Sequence, residues 1–288
     1  MSLTACSIQK LAINSIGDVL ASGTSVFESD NDPMLVAQAL PFSLKLIESL
    51  LQQQPEHGGL LLAAASGYVS YSYAFVSQEA ERLSLDDIDA ARIQRLRARN
   101  LFLRAHEYAS RALSVEYPEI GVAMEDDFEL ALPVIVRHSD RDIELLYWNA
   151  AALGLAISVS RNEPRLLARL PEVEAMLARA LELDEAWNQG ALHEFAINIA
   201  GVSDLSQNDL ERHYGRALEL SQGQRASLYV AYALADAVPR QDRAAFTDLM
   251  SKALAVNIDA QPELRLANVI AQQRAQWLLA NDDEFFLD

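Results

Sequence analysis

One four-residue phrase recurs along this chain and constrains its fold more than any other feature. A small residue, a basic residue, alanine and leucine follow one another at four places, each near the end of a segment with helical periodicity. The four copies are Ser110–Leu113, Ala178–Leu181, Gly215–Leu218 and Ser251–Leu254, and Glu48–Leu51 is a looser fifth copy. Alanine lets a neighbouring helix approach closely, leucine fills the groove between helices, and a basic residue near a helix C-terminus complements the helix dipole. The phrase therefore predicts helices that pack on one another in a repeated way.

The spacing of the copies indicates the length of the repeating unit. Ala180, Ala217 and Ala253 are 37 and 36 residues apart, close to the period of about 34 residues of tetratricopeptide (TPR) repeats. From Ser49 to Ala112 and from Ala112 to Ala180 the steps are 63 and 68 residues, which is near two periods. We therefore predict an all-α fold in which degenerate TPR-like helical hairpins pack into a compact superhelical bundle. The alternative is that the phrase recurs by chance in a chain rich in alanine and leucine.

Apolar residues at three- and four-residue spacing predict a chain of helices, and no segment alternates convincingly as a strand would. The predicted helices cover residues 8–21, 34–53, 59–82, 86–116, 141–160, 164–182, 186–199, 207–221, 225–237, 242–256 and 263–281. Proline lies where several of them begin or end, as at Pro33, Pro118 and Pro164. For residues 118–140 we predict a loop that contains one short helical turn. We expect a short tether, residues 1–6, followed by a single helical domain, residues 7–288.

Charge and hydropathy argue against two kinds of partner. The formal net charge is −18, so the phosphate backbone of a nucleic acid would be repelled. Residues 57–78 carry no formally charged side chain and are long enough to span a bilayer. They contain several serines and tyrosines, however, and lie between Glu56 and Glu79, whereas a spanning helix favours basic flanks. We interpret this stretch, and the shorter uncharged stretch 145–160, as helices buried inside a soluble bundle.

The sequence contains no recognisable catalytic or metal-binding motif. The stretch from His193 to Ile197 begins like the helix of a zinc protease, but isoleucine replaces the second histidine, so a ligand is missing. The other histidines lie in separate segments, and neither a glycine-rich phosphate loop nor a G-x-S-x-G elbow is present. We therefore predict a protein that binds partners and is not an enzyme, with no metal and no cofactor.

Aromatic residues with polar tips mark the most apolar predicted helices. At helical spacing Tyr68, Tyr71 and Phe75 share one face, while Tyr73 projects from the other. The remaining candidates for ligand or partner binding are Tyr147, Trp148, Asn149, His193, Glu194 and Tyr229. These aromatic residues either form a core in which their hydroxyls find backbone partners, or line a cavity or groove for which His193 and Glu194 supply polar groups. The pattern leaves both interpretations open.

The single cysteine, Cys6, has an unusual setting. It ends the string LTAC, which matches a bacterial lipobox: small residues precede the cysteine whose sulfur accepts a lipid. The charged and apolar leader of a secretory signal does not precede it, and we expect Met1 and Ser2 to stand in place of a removed leader. The residues alone predict either a lipid-anchored Cys6 or an ordinary cysteine near the N-terminus.

Several long stretches, in order and with their spacing, resemble one protein family along essentially the whole chain. They are CSIQKLAINSIGDVLASG from Cys6, SDNDPMLVAQALPFSLKLIESLL from Ser29, LLLAAASGYVSYSYAFV from Leu60, LLYWNAAALGLAISVS from Leu145, LPEVEAMLARALELDEAWNQGALHEF from Leu170 and LANVIAQQRAQWLL from Leu266. On these residues the chain resembles the T component associated with tripartite ATP-independent periplasmic (TRAP) transporters, the TPR-like periplasmic lipoproteins called TatT.

The resemblance implies a lipoprotein tethered by Cys6 in the periplasm, and Ser7 after the cysteine slightly favours the outer membrane. It also implies a homotrimer that binds the substrate-binding (P) component of the transporter. It further implies a cavity or pore through which a small hydrophobic ligand reaches that component. The family has no catalytic motif to transfer, so the site residues above rest on their own pattern. The alternative function is a generic TPR-type scaffold of the cell envelope that binds peptides or proteins in its concave groove.

Overall fold

Helices account for the regular structure of the residues that the computed structural model describes, which are 24–123, 132–135 and 139–287. No strand occurs among them, so the prediction of an all-α fold is confirmed. The first predicted helix, 8–21, lies outside the described residues, as do Cys6 and the predicted boundary after residue 6.

Fourteen α-helices follow one another along the described ranges. They are α1 (Thr24–Glu28), α2 (Pro33–Gln53), α3 (Gly58–Tyr71), α4 (Gln78–Asp86), α5 (Ile88–Glu116), α6 (Pro118–Ala123), α7 (Asp140–Ser158), α8 (Pro164–Leu167), α9 (Leu170–Asp184), α10 (Ala191–Ile199), α11 (Gln207–Leu220), α12 (Ala226–Tyr232), α13 (Arg243–Ala255) and α14 (Arg265–Ala280). Two π-helical segments, Ser72–Ser77 after α3 and Ala233–Ala237 after α12, interrupt the α-helical geometry. Short 3-10 turns cover Leu132–Val134, Trp187–Gly190, Pro262–Leu264 and Asp282–Glu284.

The helices begin where capping chemistry and proline allow them to begin. The carboxylates of Asp32, Asp87 and Asp242 accept hydrogen bonds from backbone N–H groups in the first turns of α2, α5 and α13. Two predicted helices have different bounds in the structure. The segment 164–182 is divided into α8 and α9, and the segment 186–199 begins with a left-handed turn, which helical periodicity does not encode.

Neighbouring helices bury most of the apolar side chains in one large cluster. Helix α3 packs against α5, α5 against α7, and α7 against α9. A second cluster joins α12, α13 and α14, and a smaller one connects α10, α11 and α12. The uncharged stretch lies in the first cluster, with Leu60–Ala65 buried, as predicted. By length and composition alone, residues 33–53 and 58–86 could each cross a membrane; within the bundle the most apolar window of the second is 56% buried and that of the first only 22%.

The repeat phrase makes close helix contacts. Its alanines, Ala112, Ala180, Ala217 and Ala253, are each at most 1% exposed. The basic residue has a different role from the one predicted, because in three copies it bonds to another chain segment and lies before the last helical turn. The guanidinium of Arg111 donates to the carbonyl of Pro55 at 2.7 Å, that of Arg179 to the carbonyl of Ile135 at 2.6 Å, and that of Arg216 to Glu185 at 2.6 Å.

The last helix returns to the first ones. Helix α14 packs against α1 and contacts α2, and the guanidinium of Arg265 donates to the carbonyl of Ser29 at 2.9 Å. Farther along α14, Arg274 forms two hydrogen bonds to the carboxylate of Glu81 in α4, at 2.8 and 2.9 Å. The described helices thus form a closed path, which agrees with a compact bundle. The TPR-like superhelical arrangement stays a prediction.

Candidate functional site

A polar cluster lies in the interior, between the helices that carry the predicted site residues. Its centre is Glu194 of α10, which is 9% exposed and 3.3 Å from the guanidinium of Arg225. Around this ion pair lie Tyr147 of α7, Asn198 of α10 and Tyr73 of the first π-helical segment. We call these five residues the Glu194 cluster. Charged and polar groups are seldom buried without such pairing.

The π-helical segment brings Tyr73 to this cluster. Its hydroxyl donates to Oδ1 of Asn198 at 3.4 Å and accepts from the guanidinium of Arg274 at 3.4 Å. The amide of Asn198 in turn donates to the carbonyl of Glu194 at 3.0 Å. A π-helical turn changes the direction in which side chains leave a helix, and such turns often lie at functional sites.

Three aromatic rings surround Tyr147. Its ring centroid is 4.8 Å from that of Trp148, 5.0 Å from that of Trp187 and 6.0 Å from that of Phe195. These distances are typical of tilted and edge-to-face aromatic pairs. Tyr147 therefore connects the polar Glu194 cluster to a group of aromatic rings.

A left-handed turn holds Arg225 in place beside this cluster. Asn188, Gln189 and Gly190 all have positive φ angles, of 43°, 54° and 85°. The guanidinium of Arg225 donates to the backbone carbonyl and to the side-chain oxygen of Asn188, at 2.6 and 2.9 Å. Residues other than glycine rarely adopt this backbone conformation. Where they do, the surrounding contacts must compensate for its strain.

Burial and a shared carboxylate shift the acidity of both tyrosines in the same direction. Burial raises the pKa of Tyr147, and the negative charge of Glu194 raises it further. Burial also raises the pKa of Tyr73, where Arg274 opposes the effect and Glu194 adds to it. Both hydroxyls therefore stay protonated at neutral pH.

His193 faces away from this cluster and pairs with a second histidine. Its Nδ1 lies 2.8 Å from Nδ1 of His213 in α11, and its Nε2 lies 3.4 Å from Glu185. Burial lowers the pKa of His193, and burial together with the facing imidazole lowers that of His213 to about 4. One imidazole must donate and the other accept, so at most one of the pair is charged. The structure therefore does not bring His193 and Glu194 to one site.

The other predicted residues occupy separate places in the bundle. Tyr68 stacks on Tyr108, with ring centroids 6.1 Å apart, while Tyr71 contacts Phe75 and its hydroxyl accepts from Arg97 at 3.2 Å. Asn149 is fully buried between α5 and α7, where its side-chain oxygen accepts from Ser110. Tyr229 packs in the cluster of α12, α13 and α14. Of the predicted residues, Tyr73, Tyr147, Trp148 and Glu194 lie together.

Sequence reasoning missed Arg225, Asn198 and Arg274. Each acts on a predicted residue through a contact between distant segments, such as the one between Arg274 and Tyr73, 201 positions apart. No local pattern encodes such a pair, because each of these residues resembles an ordinary polar residue of a helix surface or a loop.

A separate cleft of about 850 Å³ is lined in part by Arg274, which contacts Tyr73 of the Glu194 cluster. None of the predicted site residues lines this cleft. Within the described ranges, no three histidine, cysteine, aspartate or glutamate side chains are grouped so that they could hold a metal ion.

Comparison with known proteins identifies the family. The family model described as "TAtT: TRAP transporter T-component" matches residues 29–286. The chain belongs to this family of TRAP transporter T-components. A protein of Treponema pallidum (strain Nichols), described as an uncharacterized protein, is 30% identical over 302 aligned residues, which cover 98% of this chain and 94% of that protein.

Membership of the T-component family gives the chain its general role. It is an accessory of a TRAP transporter, and the family indicates a location in the cell envelope. The Glu194 cluster belongs to a T-component and is interpreted below in that setting.

Proposed function

We propose that this T-component is a non-enzymatic periplasmic lipoprotein that docks the substrate-binding (P) component of a TRAP transporter. In this proposal it forms a homotrimer and delivers a small ligand, of hydrophobic character, to the docked partner. The observation that carries the proposal is the family match over residues 29–286, which spans almost every helix described above. The aromatic rings of Trp187 and Phe195, which contact Tyr147 of the Glu194 cluster, support the hydrophobic character of the ligand.

An apolar face on α2 supports the assembly part of the proposal. Met34 and Phe42 are 73% and 72% exposed, and Leu35 and Val26 are also largely exposed nearby. Large apolar side chains grouped on one helix face typically mark a protein interface. We therefore place contacts with the P component or between protomers on this face.

Native mass spectrometry of the purified T-component with the P component encoded beside it tests the proposal. We expect a trimer that retains the P component. Phe42→Glu should reduce assembly, because it places a charge in the apolar interface. Ile93→Glu, on α5, alters a residue of comparable exposure and should leave assembly intact. A monomer that does not retain the P component would contradict the proposal, and capture of unrelated peptides instead would favour a generic envelope scaffold.

The anchor is tested separately, because Cys6 lies outside the described residues. We propose that Cys6 carries the lipid and that the outer membrane holds it. Mass analysis of the chain isolated from its native cells should show a lipid mass at Cys6, and membrane fractionation should place the protein in the outer membrane. A soluble chain without added mass would contradict the lipoprotein part alone.

A further inference from the structure

The cleft beside α5 has the size of a small-molecule site. Its volume is about 850 Å³, and three segments form its walls: residues 77–84, residues 88–99 and residues 158–163. Arg274 of α14 also lines it. Sites for small molecules are typically clefts of about 300–1,000 Å³.

The charge of this cleft is opposite to that of the whole chain. Five arginines and two glutamates line it, an excess of three positive charges, whereas the chain has a formal net charge of −18. The arginines are Arg92, Arg95, Arg99, Arg161 and Arg274. A positive cleft in an acidic protein attracts anions and concentrates them locally.

Three of these arginines already have carboxylate partners, and Arg92 pairs with Asp89 at 3.3 Å. Arg274 pairs with Glu81 at 2.8 Å, and Arg99 pairs with Glu163 at 2.7 Å. Neither Arg95 nor Arg161 has an ion pair or hydrogen bond with any residue in the described ranges. The excess charge therefore includes two guanidinium groups available for an oxyanion, and guanidinium suits carboxylate and phosphate oxygens.

Buried polar side chains supply an independent indication of a ligand. The hydroxyl of Ser77, which lines the cleft, is buried and has no hydrogen-bond partner among the described residues. Buried polar groups are nearly always hydrogen-bonded. Gln78 and Ser160 also line the cleft and are each 5% exposed, so they add polar side chains to its wall. A polar ligand in the cleft would satisfy Ser77 and bond to its two polar neighbours.

Part of the cleft lining is apolar. Ile88 and Leu96 line it and are 75% and 48% exposed, and Val159 lines it from the end of α7. Apolar side chains next to free arginines favour a ligand with a charged head and a hydrocarbon part.

We propose that this cleft binds an amphipathic organic anion, with its carboxylate or phosphate group on Arg95 and Arg161 and its hydrocarbon part on Ile88 and Leu96. Ser77, Gln78 and Ser160 hydrogen-bond to the polar part of the same molecule. The site is distinct from the Glu194 cluster, and its occupancy does not depend on docking of a P component.

Isothermal titration calorimetry of the full chain with four probes tests the proposal. The probes are octanoate, octyl phosphate, inorganic phosphate and 1-octanol, at concentrations below micelle formation. We expect octanoate or octyl phosphate to bind more tightly than both inorganic phosphate and 1-octanol. The better of the two identifies the head group, a carboxylate or a phosphate.

Two variants and a control locate the binding. Arg95→Gln combined with Arg161→Gln should weaken binding about tenfold or more, because charge-assisted hydrogen bonds are lost. Leu96→Ser should weaken binding of the octyl probes. Arg165→Gln, an exposed arginine outside the cleft, should change nothing. All these residues are exposed, so the variants should fold.

Three results would overturn the proposal. They are no binding of either octyl anion, equal binding of 1-octanol, or unchanged binding by the double arginine variant. Light scattering supplies a fourth result of this kind. If the double variant changes the oligomeric mass but not the probe affinity, the cleft is a contact between copies of the chain. Loss of P-component docking with probe binding retained would contradict only the proposed function.

Discussion

At the scale of single residues, Arg169 determines which ring nitrogen of His106 carries the proton. Its guanidinium lies 2.9 Å from Nε2 of His106 and pairs with Glu172. A guanidinium can only donate hydrogen bonds, so Nε2 must accept and the neutral imidazole carries its proton on Nδ1. Burial lowers the pKa of His106 from 6.5 to about 4, and the charge of Arg169 lowers it further.

This histidine should make folding stability sensitive to mild acid. Between pH 6.5 and 4 the unfolded chain binds a proton at His106 that the folded chain does not bind, so stability falls as pH falls. His106→Gln keeps an acceptor for Arg169 but does not titrate. Urea unfolding at pH 7 and pH 4.5 should show that the variant loses less stability than the wild type, by on the order of 2 kcal/mol. Equal losses in both proteins would contradict the assigned state of His106.

At the scale of elements, the left-handed turn before α10 and the repeat phrase of α11 depend on each other. A Cβ added at Gly190 would lie 3.1 Å from Cα of Ala217, the alanine of the third repeat phrase. The absence of a side chain at Gly190 lets α11 approach the turn. This left-handed turn also places Asn188 where it accepts hydrogen bonds from Arg225.

Two glycine-to-alanine substitutions should therefore change the free energy of unfolding in opposite directions. Gly190→Ala should destabilise the fold by about 2 kcal/mol, because alanine is strained at a φ of 85° and its Cβ meets the backbone of α11. Gly215→Ala should stabilise it by about 0.5–1 kcal/mol, because Gly215 lies within α11 and its Cβ would meet nothing within 4 Å. Urea unfolding curves measure both changes. A neutral Gly190→Ala would show that the turn relaxes without cost.

These elements also show how far sequence reasoning reached. Proline and capping aspartates such as Asp32 and Asp87 act within a few residues, so the starts of the helices could be predicted closely. The left-handed conformation of Asn188 and Gln189 could not be predicted from the sequence, because contacts from Arg225 and α11 maintain it. The π-helical segment that directs Tyr73 inward likewise has no periodic signature. The placement of Arg225 and Tyr73 in the candidate site therefore depends on tertiary contacts.

At the scale of the whole molecule, two arginines of α14 join the end of the chain to its beginning. Arg265 reaches Ser29, and Arg274 reaches Glu81 across 193 positions. The side chains of the second pair are only 15% and 26% exposed. Such a pair is costly to break from one side, because the remaining charge stays buried.

Glu81→Gln should therefore loosen the closure. We expect a loss of about 2 kcal/mol, because Arg274 keeps its charge without a carboxylate partner. Asp248→Asn breaks the exposed pair with Lys252 and should cost about 0.5 kcal/mol or less. Hydrogen exchange should rise in α14 for the first variant and stay unchanged for the second. Unchanged exchange in α14 after Glu81→Gln would show that other contacts of α14 maintain the closure.

The return of α14 to α1 and α2 limits how such a chain can evolve. An open row of hairpins can lengthen by duplication, because each new pair needs only one neighbour. Here an added pair would carry α14 away from Ser29 and Glu81 and separate both ends of the path. The contacts that close the path therefore set how many helical pairs the chain can hold.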